Sequence, residues 1–346
     1  MKILITGGSG FLGINLIRFL LDKKLTDIIN LDIADFDYPE KNLVKTINGD
    51  IRDLKLVNQV FKDNQFDMVV HAAAALPLYS PEDIISTEVE GTKNLLQASL
   101  KNKVIKFIYI SSTAVYGVPK KHPIIESDPQ VGVGPYGIAK IKAEKLCWDF
   151  RKKGLIITTL RPKSFVGPER LGVFAMLYDW SRNGRNFPII GSGNNKYQLL
   201  DVEDLCQAIF LIMTSPKKLN DNFNIGADKF TTLRSDFQAV LDDAGFGKNI
   251  ISLPKTPIIL ILKLLEILKL SPLYPWIYDT ITEDSWVSSQ KLNTILNFQP
   301  KFSNKQALLR NYRWYIKNLD KINQMSGISH RVPWKQGVLS LAKLAF

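Results

Sequence analysis

Tyr136 and Lys140 stand four residues apart in the run Pro135-Tyr136-Gly137-Ile138-Ala139-Lys140. Proline suits a first helical position. The run therefore opens a helix, and the two side chains share one face of it. A free tyrosine ionises near pH ~10 and is no base at neutral pH. A neighbouring ammonium, and a cationic ring laid beside it, would favour the phenolate. Such a pair can take the proton of an alcohol. Ser112, in Ile110-Ser111-Ser112-Thr113-Ala114-Val115-Tyr116-Gly117, lies just past a predicted strand at 104–111. Open α/β sheets bind ligands at that end of their strands, so Ser112 can hold the alcohol in place. A lone Tyr-x-x-x-Lys recurs by chance, and its weight depends on what else the chain supplies. His71 also ends an apolar run, where a packed or hydrogen-bonded histidine is favoured over a base.

The chain supplies a second constellation at its start. Lys2 to Thr6 reads as a strand, Gly7-Gly8-Ser9-Gly10-Phe11-Leu12-Gly13 as a loop, and Ile14 to Leu21 as a helix. Gly8, Gly10 and Gly13 satisfy G-x-G-x-x-G, while Gly7, Gly10 and Gly13 satisfy G-x-x-G-x-x-G. Strand, glycine loop and helix together let a pyrophosphate approach the backbone and meet the free N–H groups of a helix start. Asp32 ends a second predicted strand, at 27–32. An acid there accepts hydrogen bonds from ribose hydroxyls and repels a 2′-phosphate. No Lys or Arg lies between Asp32 and Lys41, so the reading is NAD, with NADP disfavoured. After the strand at 67–71, Ala72, Ala73, Ala74 and Ala75 leave room for a ligand close to the backbone.

These sites must be held by a sizeable core. The chain has 346 residues, 45% hydrophobic and 23% charged, values of a soluble globular protein of one large domain or two lobes. Further strands are predicted at 43–47 and 222–225, and helices from Asp53 to Phe61, at 81–101 and at 205–213. Cys147 and Cys206 are far apart and suit buried thiols in a reducing compartment, and no metal-ligand spacing occurs. The start is too short of apolar residues for a secretory signal, and no run reaches the ~18 residues of a membrane span. A cytoplasmic protein is expected.

In combination these motifs resemble the extended short-chain dehydrogenases/reductases of the NAD-dependent epimerase/dehydratase type. The matching residues are Thr6 to Gly13, Gly49-Asp50-Ile51-Arg52-Asp53, His71 to Ala74, Ser111 to Gly117, Tyr136 to Lys140, Leu160-Arg161-Pro162 through Gly167-Pro168, and Asp201 to Leu205. The resemblance covers roughly residues 1–240. It implies an α/β fold, a Rossmann-like doubly wound parallel sheet with a smaller C-terminal substrate lobe. It also implies Tyr136 as catalytic base and acid, Lys140 as the partner that lowers its pKa and binds ribose, and Ser112 as third member. Gly7, Gly10, Phe11, Leu12, Gly13, Asp32, Ala72, Ala73, Ala74 and Pro162 would line the cofactor, with Asp50 and Ile51 flanking the adenine. Three departures stand out. Glu88 replaces an Asn common in nucleotide-sugar members, Ser164 stands where sugar epimerases tend to carry Asn, and Thr113-Ala114 stands where sugar 4,6-dehydratases resemble Asp-Glu. The last discounts water elimination. Arg161-Pro162 and the Ala-rich start also resemble the 3β-hydroxysteroid dehydrogenase branch.

The expected organisation is a cofactor domain at 1–168 with returns to the sheet around 195–226, a substrate lobe at 169–290, and a basic helical extension at 291–346. Ser164, Lys196 and Gln198 are candidate substrate contacts, although a plain connecting loop fits Lys196 and Gln198 equally. Ser303 with Gln306 forms a capping box for a helix through Leu319. Of the net charge of +12, the segment Lys291 to Phe346 carries ten basic residues against Asp320 alone. Residues 257–276 are very apolar. Core packing is their leading reading; with the amphipathic tail at 331–346 they also suit peripheral contact with an anionic membrane at its inner face, or a dimer contact. A homodimer is expected, and nucleic acid is not. The function expected is NAD-dependent oxidation of a secondary alcohol, as epimerase or dehydrogenase, on a nucleotide- or lipid-linked sugar. The alternatives are a hydrophobic alcohol at a membrane surface and a non-catalytic NAD-binding sensor or scaffold.

Overall fold

A computed structural model describes residues 1–77, 79–267, 278, 280–323, 331–333, 343 and 346. Short aliphatic runs form the strands β1 (Ile3–Thr6), β2 (Ile28–Asp32), β3 (Lys45–Asn48), β4 (Met68–His71), β5 (Lys106–Ile110), β6 (Ile157–Pro162) and β10 (Asn222–Ile225). They make one parallel sheet in the order β10-β6-β5-β4-β1-β2-β3. Residues of β1, β4 and β5 are buried on both faces, as expected of strands covered by helices on each side. Ile3, Ile5, Val70 and Ile108 face a core shared with α1 (Phe11–Asp22) and α7 (Val202–Thr214). Leu4, Val69, Phe107 and Tyr109 face the opposite core, with α2 (Leu54–Asp63), α4 (Thr92–Lys101) and α5 (Gly134–Lys152).

The order reverses between β1 and β4, so the loops after these two strands diverge and open a crevice at their C-terminal ends. The glycine loop and Ala72 to Ala74 lie there. The predicted helix at 81–101 is one rod with a fault: α3 (Pro81–Ile85) passes through a π turn, Ser86–Gly91, into α4. The edge strand β3 starts later than expected, leaving Leu43 exposed. Of the expected returns to the sheet, β10 joins it beside β6, whereas β9 (Leu200–Asp201) pairs with β7 (Phe165–Val166) in a separate ribbon.

A third core builds the lobe from α6 (Phe174–Arg182), β8 (Phe187–Ile190), α8 (Leu233–Ala244) and β11 (Ile250–Leu253). The 291–346 segment feeds both cores. Leu292 and Phe298 enter the core under the sheet, and Ala307, Leu308, Tyr312 and Tyr315, on the helix Asn304–Lys317, enter the lobe core. That helix opens with the capping box of Ser303 and Gln306 and ends earlier than expected, at Lys317. Part of the positive charge of 291–346 is paired: Lys291 with Asp221, Arg310 with Asp201 and Glu203, Arg313 with Asp243, and Lys343 with Asp179. Most of 331–346, and residues 268–276 of the apolar stretch, lie outside the described residues. The remainder of that stretch belongs to α9 (Lys255–Ile267).

Candidate active site

The glycine loop is shaped by close backbone contacts. Gly7 has φ +76°, and a Cβ on it would lie 2.6 Å from the Ala73 nitrogen. A Cβ on Gly13 would lie 2.2 Å from the Gly7 carbonyl oxygen. Only glycine fits either position. The loop's outward side is fixed by polar groups: the Gly8 N–H donates to Asn30 Oδ1 and the Ser9 N–H to Asp32 Oδ2, both at 2.9 Å. The first turn of α1 has neither a side-chain cap nor an acid. The result is a small-residue cradle at a helix start between β1 and β4, which fits a pyrophosphate.

Asp32 sits at the end of β2 as expected, and its second oxygen accepts from the Ala34 N–H. Burial raises its pKa, against backbone hydrogen bonds that lower it. The carboxylate thus braces the loop and keeps lone pairs for a ribose. Asp50 is tied to Arg52 at 2.7 Å, and Ile51 is buried against Gly91. His71 is a strut. Its two ring nitrogens meet the Thr6 and Thr92 hydroxyls at 2.8 and 2.9 Å, and burial pushes its pKa down to about 3, which keeps it neutral.

Tyr136 and Lys140 lie on the first turns of α5, beside the C-terminal end of β5. Lys140 Nζ donates to the Ile110 carbonyl at 2.9 Å and lies 5.7 Å from the centre of the Tyr136 ring. The Ser112 hydroxyl caps the turn Thr113–Tyr116 and lines the same cavity as Tyr136. The three predicted catalytic residues therefore meet. Burial lifts the Tyr136 phenol above its ordinary pKa, while Lys140, Ser112 and Arg170 oppose the rise. Burial also depresses the Lys140 ammonium, but Glu88, Tyr136 and Glu144 more than reverse this and hold it protonated. The carboxylate of Glu88, the residue that departs from the family pattern, lies 2.9 Å from Lys140 Nζ.

Tyr136 and Ser112 open onto a cavity of about 410 Å³, whose wall includes Pro162, Ser164 and Tyr197. Two cations in this wall escaped the sequence reading. Lys163 follows β6, donates to Ser285 Oγ at 2.6 Å, and is pushed by burial down to about 7. Arg170 follows β7, lies over the Phe11 and Phe174 rings, and is pushed by burial down to about 10. Its Nε has no hydrogen-bond partner among the described residues. Neither cation makes an ion pair among the described residues. The available signal was a charge placed just past a strand end, where ligands bind. Ser164 lines the cavity, within 3.4 Å of the Tyr197 hydroxyl. Lys196 and Gln198 are not among its lining residues. Lys196 lies over the Trp286 ring, and buried Gln198 binds Ala227 and Val287 backbone groups through both ends of its amide.

One further contact comes from far along the chain. Arg331 donates to the Ser9 carbonyl at 3.3 Å and lies over the Tyr38 ring, whose hydroxyl donates to the same carbonyl. Its charge also acts on Asp32. No local pattern could place a residue 322 positions away at the cofactor loop.

Comparison with known proteins agrees with this geometry. The chain is 33% identical to an uncharacterised protein of Sinorhizobium fredii over 99% of its own length and 85% of that protein's. It is 32% identical to a UDP-glucose 4-epimerase of Lactobacillus helveticus, over 65% of this chain and 76% of that one. The structure of a Thermotoga maritima UDP-glucose 4-epimerase with UDP-glucose superposes with a TM-score of 0.78 at 26% identity, covering 92% of this chain and all of that one. Residues 3–226 match the NAD dependent epimerase/dehydratase family, and the chain belongs to that family of extended short-chain dehydrogenase/reductase enzymes.

Proposed function

We propose that this chain is an NAD-dependent epimerase or dehydrogenase acting on a secondary hydroxyl of a nucleotide-linked sugar, with Ser112, Tyr136 and Lys140 as its catalytic residues. The observation that carries the reading is the meeting of these three beside a cavity walled by buried Lys163 and partly buried Arg170, neither of them ion-paired among the described residues. An uncompensated buried charge is costly, and a sugar diphosphate would supply the missing anion to Lys163 and Arg170. Ser112 holds the hydroxyl and Tyr136 takes its proton. Lys140 keeps positive charge beside the phenol as the proton arrives. The glycine cradle and Asp32 hold the dinucleotide; bound NAD supplies the acceptor for the hydride and, in an epimerase, its return. Glu283 and Asp284 also line the cavity, but Glu283 pairs with Lys255 and Asp284 accepts the Lys196 N–H. With Thr113-Ala114 in the loop after β5, this favours epimerisation or oxidation over water elimination.

The test is incubation of purified protein with NAD and a panel of nucleotide sugars. Epimer without net NADH marks an epimerase, and NADH release marks a dehydrogenase. NAD binding with neither product would leave only a sensor and reject the proposal.

A second reading, a lipid-linked sugar or other hydrophobic alcohol at a membrane surface, is favoured by α9. Leu260, Ile261, Leu264 and Ile267 are exposed at 63%, 52%, 58% and 78% on adjoining faces of this helix. Its first residue, Lys255, is tied at 2.6 Å to Glu283 of the cavity wall. Among the described residues no helix is long and apolar enough to cross a membrane, so contact would be interfacial. Cosedimentation with anionic vesicles that Leu260→Glu with Leu264→Glu abolishes would support this reading. Equal soluble fractions of the two proteins would remove it.

A further inference from the structure

Lys140 has two anionic claimants in a closed space. Glu88 stands in the π turn between α3 and α4, where an extra residue per turn re-aims the side chains. Its carboxylate lies 2.9 Å from Lys140 Nζ, and both side chains are almost wholly buried. The Tyr136 ring approaches the same nitrogen from the first turn of α5. One buried ammonium can offset one buried anion; a second would lie in a low dielectric without a counter-charge. We propose that Glu88 competes with Tyr136 for Lys140 and thereby sets the pH at which Tyr136 becomes a base. This rests on the roles of Tyr136 and Lys140 proposed above. Glu88 acts through Lys140 and is a positioning residue.

The two states differ by one proton. In one, Tyr136 is a phenol, Lys140 an ammonium and Glu88 a carboxylate. In the other, the phenol proton has gone to solvent, Tyr136 is a phenolate, and Lys140 and Glu88 are unchanged; no bond between heavy atoms has changed. The second state places two anions beside one ammonium, so it forms at a higher pH than it would without the Glu88 charge. Burial raises the carboxyl of Glu88 above its ordinary value, against the pull of Lys140.

The other groups around this pair do not replace Glu88. Tyr109, from β5, faces it and is held as a phenol by burial. Glu144, from α5, is engaged by Arg161 at 2.5 Å and by Ser111. His71, from β4, faces Lys140 but is neutral. Ser112 and Arg170, from the loops after β5 and β7, face Tyr136 and favour its phenolate. Among the described residues, Glu88 is the carboxylate in direct contact with the Lys140 ammonium.

The experiment follows tyrosinate ultraviolet absorbance against pH, with and without NAD, assigned by difference from Tyr136→Phe. The acidic limb of kcat is followed alongside. In Glu88→Gln the Tyr136 midpoint and the limb should both move down by about one to two pH units, the effect of one nearby charge. A merely structural Glu88 would lower the melting temperature and leave both where they were; that result in a folded variant overturns the proposal. Glu88→Asn repeats the test should the Gln variant not fold. If neither folds, the protonated-carboxyl infrared band of the wild-type NAD-loaded protein decides. Absence of the band over the pH range in which tyrosinate appears, which leaves Glu88 charged there, supports the competition; a band that persists through that range overturns it. The absorbance titration needs no turnover, so failure to find a sugar substrate would count against the proposed function and not against the pair.

Discussion

Replacing Gly13 by alanine tests the cofactor cradle most directly. A methyl group there would lie 2.2 Å from the Gly7 oxygen and 2.3 Å from the Gly8 Cα, where ordinary contact begins at 3.4 Å. The obstacles are backbone atoms on the neighbouring turn, so no side chain can swing aside. The loop must retreat from α1 by about 1 Å, the scale at which a misplaced binding group becomes serious. Displacing one or two N–H groups from a charged phosphate forfeits roughly 1.5–3 kcal/mol each, or about ten- to a hundredfold or more in NAD affinity. The crowding itself costs about 1–3 kcal/mol of stability. Gly10→Ala provides the control for packing, because among protein atoms its methyl would meet only the Gly7 oxygen, at 3.2 Å. Titration calorimetry with NAD on Gly13→Ala and thermal melts of both variants give the measurement. Gly13→Ala binding NAD like wild type, or Gly10→Ala proving the less stable of the two, would refute the reasoning.

Three other outcomes are expected. Tyr136→Phe should lower kcat by roughly 10²–10⁴ while changing the NAD dissociation constant only a few-fold, measured by turnover and calorimetry on one preparation. Lys163, with its amine pushed down to about 7, should lose its charge as pH rises through neutrality; affinity for a sugar diphosphate should fall over that range, and Lys163→Met should flatten the profile of KM against pH. His71 is neutral when folded, with its pKa down to about 3, and titrates near 6.5 when unfolded. The unfolded state therefore binds more protons between those values, and stability should fall by up to about 1.4 kcal/mol per pH unit on acidification there. Urea denaturation at several pH values should show this loss in wild type and a shallower one in His71→Asn.

Features written in short stretches were legible. Glycine spacing, the aliphatic runs of β1 and β4, the Tyr136–Lys140 pair and the Ser303 capping box each depend on neighbours within a few residues, so periodicity and cap chemistry reveal them. The rest depends on contacts across the chain. Lys163 and Arg170 look like surface charges until β6 and β7 deliver them to one cavity. The Glu88 position stood out as a departure, but its pairing with Lys140 requires the π turn and α5 to meet. Gln198 has the composition of a loop contact and is instead held by the backbone of residues 227 and 287. The basic segment at 291–346 is balanced in part by acids, such as Asp201 and Asp243, that lie elsewhere in sequence.

The grip of Arg331 on the Ser9 carbonyl has a consequence for biosynthesis. The contact joins positions 322 residues apart, and Glu169 links the same arginine to Arg18 on α1. At about 5–20 residues per second, the ribosome leaves the glycine loop without this brace for roughly 15–60 seconds. The dinucleotide cradle emerges long before the residue that braces it. A ligand that binds only the completed cradle stabilises finished chains over nascent or clipped ones. Chains cut before residue 331 lack this brace and gain less protection against proteolysis from the dinucleotide.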